Sequence, residues 1–349
     1  MSEWKEIELE RIVNFYNGKK RPYIKGNIPV FGGNGILDYC NSFNSQGESI
    51  IIGRVGEYCG NVNYYNGFCW ISDNAILVKA KEELNVKYLY YCLINVKLRE
   101  FQVGSSQPLI TQEILKNIII PLPPLPEQKA IAEVLSSIDD KIDLLHRQNK
   151  TLEEMAMTLF RQWFIEPTKD GLPKGWEIGK FEENLKIVYG KNLLTSKLKD
   201  SGYPVFGGNG KIGYYTEYMY EESQVLISCR GEASGKVNIS DPKSYITNNS
   251  LILERAKNKN ISFEYLKYYC LNYDFTQFVT GSAQPQITIE ELNNAEILIP
   301  PSILINKFSK IISNFETKIF SNKIQIQTLE KLRDTLLPKL MSGEVRVKV

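Results

Sequence analysis

The sequence predicts an α/β fold in which two mixed globular domains, related by pseudo-two-fold symmetry, are separated by two long helices forming an antiparallel coiled coil. Three observations lead to this fold class. The second half of the chain repeats the first, each half mixes short strand patterns with one recurring helix pattern, and each half ends in a long heptad pattern. The 349 residues are enough for two or more domains.

The internal repeat is carried by motifs that occur twice. The clearest is PVFGGNG, at residues 29–35 and again, residue for residue, at residues 204–210. The offset between matching residues grows only from 172, for Trp4 and Trp176, to 177 at the last motif. A period this long indicates a duplicated domain rather than a solenoid. The other matched segments are residues 4–7 with 176–178, 51–57 with 226–232, 71–74 with 246–249, and 104–111 with 281–288.

Each half has the alternation of strands and turns that is typical of a mixed α/β domain. Short runs of β-branched and aromatic residues lie between Gly and Asn residues, which predicts strands. One helix is predicted twice, over residues 86–101 and 262–278, from aromatic and Leu residues at helical spacing. Thr111 and Thr288 are typical first residues of a second short helix. The predicted strands include residues 49–52, 75–78, 118–120, 224–227, 250–253 and 296–299.

Residues 126–164 predict the first long helix. Pro126 suits the first turn, Glu127 suits the positive end of the helix dipole, and no further Pro or Gly interrupts the segment. Apolar residues alternate in steps of four and three, which is a heptad seam, and a segment near the C-terminus has the same alternation. The seam residues are Ile131, Leu135, Ile138, Ile142, Leu145, Leu152, Ala156, Leu159 and Trp163 in the first segment, and Phe308, Ile312, Phe315, Ile319, Ile326, Leu329, Leu336 and Leu340 in the second, with breaks at Asn149, Asn322 and Arg333.

The register of the two helices can be predicted from these breaks. Antiparallel alignment of the two seam midpoints, Arg147 and Ile324, places Asn149 beside Asn322. A buried Asn pair satisfies its own amides, whereas an Asn that faces Leu leaves them unpaired, so the two residues are expected to set the register. The alternative is that both residues occupy loosely packed, wet positions. The same alignment places Ile142 beside Leu329 and Trp163 beside Phe308.

Composition limits the kinds of site that the chain can hold. The net charge is only +2, so a nucleic-acid role would depend on local patches. The single histidine, His146, falls on the first long helix, so histidine-based catalysis and histidine-ligated metals are not expected. Six cysteines without a Cys-x-x-Cys pair, and no secretory pattern, indicate reduced thiols and a cytoplasmic protein. No apolar run approaches the ~20 residues of a membrane span.

Two glycine-rich segments resemble cofactor loops. FGGNG, at residues 31–35 and 206–210, matches the FxGxG loop of S-adenosylmethionine methyltransferases, and a single-chain DNA methyltransferase is therefore an alternative function. The [DNS]-P-P-[YF] motif that such an enzyme would need is missing, and Asn-Gly is also a strong hairpin signal. Residues 231–237 are one residue short of a phosphate loop and have Val237 in place of its Ser or Thr. We therefore expect no catalytic residue, metal or cofactor in this chain.

Basic and amide residues recur in matching places of the two halves. Lys and Arg can contact phosphates, while Arg, Asn and Gln can bind base edges in a bidentate manner. Any one of these residues alone is more often an ordinary solvated loop residue, but their recurrence favours a shared function. The candidate DNA-binding residues are Lys19, Lys20, Arg21, Asn34, Arg54 and Gln107 in the first half, and Lys191, Lys197, Asn209, Lys211, Arg230 and Gln284 in the second.

This arrangement resembles the specificity subunits of type I restriction–modification systems. The resemblance covers the whole chain and rests on Trp4 and Trp176 near the start of each domain, and on the repeated G-S-x-Q-P-x-I-T segment. It also rests on the P-L-P-P-L-P-E-Q entry into the first helix and on the ending LLPKLMSGE at residues 336–344. Two departures occur. The second helix entry lacks Pro-Glu-Gln, and Arg54 and Arg230 are offset by one residue when the Gly-Glu pairs are aligned.

The resemblance implies a function and a set of partners. Each globular domain would be a target-recognition domain for one half of a split double-stranded DNA site, and the coiled coil would space the two domains. Two modification subunits would carry S-adenosylmethionine, and a restriction and translocase subunit would use ATP and Mg²⁺. The implied divisions are residues 1–125 and 166–302 for the recognition domains, 126–165 and 303–341 for the spacer helices, and 342–349 for a tail.

The helices predict a mechanical role. The 33 residues of the first seam, from Ile131 to Trp163, rise ~50 Å at about 1.5 Å each. This length is enough to hold two readers on successive major-groove faces, ~34 Å apart. A two-part target with a fixed gap is therefore expected, and the two domains need not bind the same bases. A coiled-coil scaffold that binds only protein is a further alternative.

Overall fold

The structure is a computed structural model that divides the chain into two units. It describes residues 4–81, 84–104, 108–281 and 284–348. Unit 1 comprises Met1–Leu145 and Lys323–Val349, and unit 2 comprises His146–Asn322. Both long helices cross this boundary, so each unit contains one globular part together with part of each long helix.

Unit 1 is a mixed α/β domain with three small sheets among its described residues. Its elements are β1 (Lys5–Glu8), α1 (Leu9–Ile12), β2 (Val13–Asn17), β3 (Lys25–Gly32), β4 (Gly35–Cys40), β5 (Glu48–Gly53), β6 (Val62–Asn66), β7 (Trp70–Ile71), β8 (Ala75–Ala80), α2 (Val86–Asn95), α3 (Gln112–Lys116), β9 (Ile119–Leu122) and α4 (Leu125–Phe160). The sheet orders are β1-β9, β2-β8-β5-β6 and β4-β3-β7. All pairs are antiparallel except β3 with β7.

Unit 2 repeats this topology strand for strand. Its elements are β10 (Glu177–Lys180), α5 (Phe181–Asn184), β11 (Lys186–Tyr189), β12 (Tyr203–Gly207), β13 (Gly210–Tyr215), β14 (Val225–Ser228), β15 (Val237–Ile239), β16 (Tyr245–Ile246), β17 (Ser250–Glu254), α6 (Phe263–Asn272), α7 (Ile289–Asn293), β18 (Glu296–Ile299) and α8 (Ser302–Ser342). The orders β10-β18, β11-β17-β14-β15 and β13-β12-β16 match those of unit 1. The mixed α/β fold and the duplication are therefore confirmed.

Single side chains show the same repeat. The Tyr88 hydroxyl donates to the Pro121 carbonyl at 2.8 Å, and the Tyr265 hydroxyl donates to the Leu298 carbonyl at 2.7 Å. Burial raises the pKa of both tyrosines far above the usual value, so both remain proton donors. The two bonds join α2 to β9 and α6 to β18, and their donors and acceptors are separated by the same offset as the last repeated motif.

The short helices begin where the sequence predicts, but the longer ones end early. Thr111 accepts a hydrogen bond from the Ile114 amide, and Thr288 forms a capping box with Glu291, which confirms both starts. The helix predicted over residues 86–101 instead ends at Asn95 and is followed by a separate 3₁₀ turn, Leu98–Phe101. The helix predicted over residues 262–278 is likewise divided into Phe263–Asn272 and Phe275–Phe278.

The long helices pack antiparallel within each unit. In unit 1, Asp139 of α4 accepts from Arg333 of α8 at 3.0 Å, and Ile142 and Leu329 belong to one apolar cluster. In unit 2, the amides of Asn149 and Asn322 meet at 2.8 Å, and the rings of Trp163 and Phe308 lie 6.2 Å apart. A later residue of α4 thus always meets an earlier residue of α8. The predicted neighbours are confirmed, and their role in setting the register stays a prediction.

Both long helices have an irregular feature near their C-terminal ends. Helix α4 continues into a π-helical turn, Arg161–Ile165, and α8 continues through Pro338. Both Asn149 and Asn322 are buried, so they do not occupy wet positions. The pair satisfies its amides only in part, because the Asn322 side-chain oxygen is buried without a hydrogen-bond partner. The six cysteines are free and buried, and burial raises the pKa of the Cys92 thiol to about 12.

Candidate nucleic-acid interface

The FGGNG motif forms a hairpin turn in both units. Gly32 pairs with Gly35 between β3 and β4, and Gly207 pairs with Gly210 between β12 and β13. Gly35 and Gly210 have positive φ angles of 87° and 104°, which glycine adopts without strain. The motif is followed by another strand and not by a helix. It therefore forms the turn that the Gly-Asn pair predicts, and the exposed side chain at its tip is Asn34 or Asn209.

Each turn is held against the end of a neighbouring strand. In unit 1, the Asn61 side-chain amide donates to the Gly33 carbonyl at 3.0 Å. Gly53 is the neighbour of Gly33, and a Cβ atom on Gly53 would collide with the Tyr58 carbonyl oxygen. In unit 2, the side chains of Asn238 and Ser228 both donate to the Gly208 carbonyl. These contacts fix the turn and its exposed Asn in place.

The other repeated motifs meet at the same end of each unit. In unit 1, the Arg54 amide donates to the Asn74 carbonyl at 3.0 Å, and the Arg54 carbonyl accepts from the Ile110 amide at 2.9 Å. In unit 2, the Cys229 amide donates to Asn249 at 3.0 Å and its carbonyl accepts from Ile287 at 3.1 Å. The strand end, the repeated segment that ends at Asn74 or Asn249, and the end of the G-S-x-Q-P-x-I-T segment are therefore adjacent beside the FGGNG turn.

Arg54 and Arg230 occupy different positions on this shared backbone. The equivalent of Arg54 is Cys229, and Arg230 takes the place of Val55, because Val55 bridges Leu109 as Arg230 bridges Gln286. Successive residues of an extended chain point to opposite sides. Arg54 is half-buried with its Nε without a hydrogen-bond partner, whereas Arg230 is exposed. The one-residue offset in the sequence is thus a change of face.

Lys19 and Lys191 are structurally equivalent. The Lys19 amide donates to the Ile71 carbonyl and the Lys191 amide donates to the Ile246 carbonyl, both at 2.9 Å. Both lysines are exposed. The segments to which they are hydrogen-bonded continue directly to Asn74 or Asn249. Each lysine therefore lies beside the motifs described above.

The other predicted residues have more varied surroundings. The Lys20 ammonium lies 5.4 Å from the centre of the Tyr23 ring, and Arg21 lies 3.9 Å from Asp38. Lys211 donates to the Tyr214 hydroxyl at 3.0 Å. Lys197 in a 3₁₀ turn and Gln284 are exposed, and Gln107 lies outside the described residues.

A cleft of about 590 Å³ lies beside Lys19 in unit 1. Its lining includes half-exposed Tyr16 and Phe43, whose rings could stack on a base or a sugar. Lys79 also lines the cleft, but its ammonium donates to two carbonyls and to Ser49, and burial lowers its pKa. Lys79 therefore stabilises the loop, and Lys19 is the cation available to a ligand.

Asn63 and Asn238 are two further residues of this site that are not among the candidates predicted from the sequence. They are equivalent, because Asn63 pairs with Ile51 in the sheet as Asn238 pairs with Leu226. Asn238 holds the FGGNG turn, and the Asn63 side-chain nitrogen is buried without a partner. Their separation in the sequence equals that of the two PVFGGNG motifs, which was a usable signal.

Over the described residues, no group of side chains could hold a metal ion, and no helix is long and apolar enough to cross a membrane.

Comparison with known proteins places the chain in a family. The family described as "Type I restriction modification DNA specificity domain" matches residues 1–154 and 173–331. The type I restriction enzyme MjaIX specificity subunit of Methanocaldococcus jannaschii is 27% identical over 99% of this chain and 97% of its own. The HindI specificity subunit of Haemophilus influenzae is 21% identical over 74% of this chain and 77% of its own.

A solved structure has the same fold. It is the crystal structure of a type I restriction–modification system S subunit from M. genitalium, with a TM-score of 0.70 and 20% sequence identity. The match covers 97% of this chain and 96% of that chain. The chain therefore belongs to the type I restriction–modification DNA specificity family, a family of non-catalytic subunits.

Proposed function

We propose that the chain is the DNA-recognition subunit of a type I restriction–modification complex and that each unit reads one part of a two-part target. The observation that carries this proposal is the convergence of the repeated motifs at one end of each unit. Exposed amide and cationic side chains lie at that end in both copies. Proteins bind DNA by combining cations for phosphates with Arg, Asn or Gln for base edges.

Separate roles follow from the surroundings of each residue. The exposed lysines carry a point charge on a long side chain and suit phosphate contacts, whereas Asn34 and Asn209 are held on fixed turns and suit base edges. Arg54 is only half-buried, and its planar guanidinium has the geometry to bind a base edge. Because Arg54 and Arg230 occupy opposite faces of equivalent segments, the two units bind different bases.

The partners are the subunits that carry the chemistry. Two modification subunits would bring S-adenosylmethionine and methylate adenines, and a restriction and translocase subunit would bring ATP and Mg²⁺. A net charge of +2 gives this chain few surplus cations. Tight binding would therefore need further phosphate contacts from the partners, since each contact adds to the affinity.

The long helices are proposed to set the gap between the two parts of the target. Helix α4 has 36 residues, a length of ~54 Å at the usual rise of an α-helix. An extended rigid element of this size spans more than one turn of B-DNA. The gap would then depend on the number of residues in the helices and not on the sequence of the DNA within it.

Arg54→Ala and Arg230→Ala are expected to change different halves of the recognised sequence. Each substitution should remove about 1–3 kcal/mol of discrimination at the base pairs bound by that arginine. The measurement is single-molecule sequencing of methylated adenines in DNA from cells that carry the complete system. Arg54→Ala should relax one half-site and Arg230→Ala the other.

A matched control is Arg11→Ala, which removes an exposed arginine of α1 that pairs with Glu8. This variant should leave the methylated sequence unchanged. If Arg54→Ala and Arg230→Ala relaxed the same half-site, the assignment of one half to each unit would be wrong. If both lowered methylation equally at all sequences, the arginines would contact only phosphates.

A further inference from the structure

We infer that the Asn149–Asn322 pair favours association of the two long helices with each other. It disfavours association of either helix with a second copy of itself. This selection takes place in the seam of the long helices and does not depend on DNA binding. It rests on an asymmetry between two layers of the seam.

The two layers have opposite polarity. In unit 2, the Asn322 amide nitrogen donates to the Asn149 side-chain oxygen at 2.8 Å, and both residues are buried. In unit 1, Leu145 and Ile326 belong to one buried apolar cluster. Each helix thus contributes one amide and one aliphatic side chain, and every residue meets a partner of its own kind.

The repeat makes these two layers equivalent. Tyr91 donates to Asp139 of α4 in unit 1, and Tyr268 donates to Glu316 of α8 in unit 2, so the offset of the last repeated motif continues along the long helices. The same offset takes Leu145 to Asn322. It also takes Asn149 to Ile326. Where one long helix has Asn, the equivalent position of the other helix therefore has Leu or Ile.

Pairing between two copies of one helix would mismatch these positions. The antiparallel alignment predicted from the sequence makes residues 147 and 324 level, and the repeat offset makes them equivalent. Two copies of α4 in that register would place Leu145 opposite Asn149, and two copies of α8 would place Asn322 opposite Ile326. Each mismatch occurs twice, because the arrangement is symmetric. The remaining layers of an α4 pair would be Ile131 with Trp163, Leu135 with Leu159, Ile138 with Ala156 and Ile142 with Leu152.

All the remaining layers of a pair of α4 helices are apolar. Within the seam, only the layer of Leu145 and Asn149 therefore disfavours this pair. A buried amide without a partner disfavours pairing by about tenfold or more. Two mismatches then disfavour a like pair by about 100-fold. A polar residue in the seam of a coiled coil is known to specify the partner helix and the register in this way.

An ion pair acts in the same direction. Arg333 of α8 donates to Asp139 of α4 at 3.0 Å, in addition to its contact with the neighbouring Asp334. In two copies of α8, Arg333 would lie opposite Phe315, and in two copies of α4, Asp139 would lie opposite Met155. Both like pairs would lose the interhelical ion pair. The seam therefore fits the other half of a specificity subunit and not a second copy of the same half.

The test uses the full chain, folded first and then cut at a protease site placed in the exposed segment 169–172. The two fragments are exchanged in urea below full denaturation, and native mass spectrometry counts mixed and like pairs. The parent chain should return mixed pairs in about 100-fold excess over like pairs. Asn149→Leu with Asn322→Leu should raise the share of like pairs at least tenfold, because the mismatch is removed.

A rescue variant separates pairing from stability. Adding Leu145→Asn and Ile326→Asn to the two leucine substitutions moves the amide pair by one layer and should restore the excess of mixed pairs. A second readout uses the uncut chain, in which light scattering should find more dimer for the two-leucine variant than for the parent. Like pairs at the statistical share in the parent, or an unchanged share and no added dimer in the two-leucine variant, would overturn the inference.

Discussion

Phe308→Ala is expected to lower the free energy of unfolding by about 3–5 kcal/mol, which is the cost of removing a fully buried aromatic ring and leaving a cavity. Phe308 is completely buried near the start of α8. Its ring centre lies 5.1 Å from that of Phe164, 6.0 Å from Phe160 and 6.2 Å from Trp163, all in or just after α4. The substitution therefore weakens the packing of both long helices against the core of unit 2.

The measurement is urea unfolding followed by tryptophan fluorescence, because Trp163 and Trp176 both pack against the core of unit 2. Phe320→Ala is the matched control, since this phenylalanine lies on the same helix and is 54% exposed. The control should change the free energy of unfolding by less than about 0.5 kcal/mol. Equal effects of the two substitutions would mean that the aromatic cluster does not hold α8 in place.

Insertion of seven residues into both long helices is expected to replace the original DNA target by one with a longer gap. Seven residues preserve the heptad seam and add ~10 Å of helix. This length corresponds to about three base pairs of B-DNA at 3.4 Å each. The insertions belong beside Arg147 and Ile324, the two seam midpoints that the predicted alignment makes level, so that both helices lengthen at the same place.

The readout is again the map of methylated adenines. The two half-site sequences should be unchanged, the original spacing should no longer be methylated, and the new spacing should be about three base pairs longer. Insertion of four residues is the control, because it breaks the seam register and should abolish methylation at both spacings. If the seven-residue variant kept the original spacing, the helices would not set the gap.

The pairing of the long helices could be predicted because a heptad seam is a local pattern. The alternation of steps of four and three, with the two seams aligned antiparallel at their midpoints, placed Asn149 beside Asn322 and Trp163 beside Phe308. Arg333 shows the limit of this method. It appears in the sequence only as a break in the seam, while Asp139, to which it is bound, lies outside the seam.

The sequence identifies individual candidate residues of the interface, but it does not show that their motifs lie close together in space. The repeat singled out the motifs around Asn34, Arg54 and Gln107, yet their meeting depends on hydrogen bonds between distant segments, such as Ile110 with Arg54. No local pattern encodes such contacts. The early end of α2 was missed for a related reason, because Lys97 adopts a left-handed conformation that non-glycine residues rarely take.

The C-terminal segment is a further contact that the sequence did not show. Glu127 was interpreted as a partner of the helix dipole, but its carboxylate also accepts from the Trp4 ring nitrogen and from the Arg346 guanidinium. Arg346 lies above the Trp4 ring as well, 5.0 Å from its centre. A lone arginine beyond Gly343 carries no signal for a partner that lies so far back in the chain.

We propose that this one chain contains two readers, each responsible for one part of the DNA target. The most direct test is the map of methylated adenines in cells that carry the unaltered chain with its modification subunits. We expect two separate short sequences at a single fixed spacing, with bases between them that vary freely. One uninterrupted target, or methylation at either short sequence alone, would contradict it.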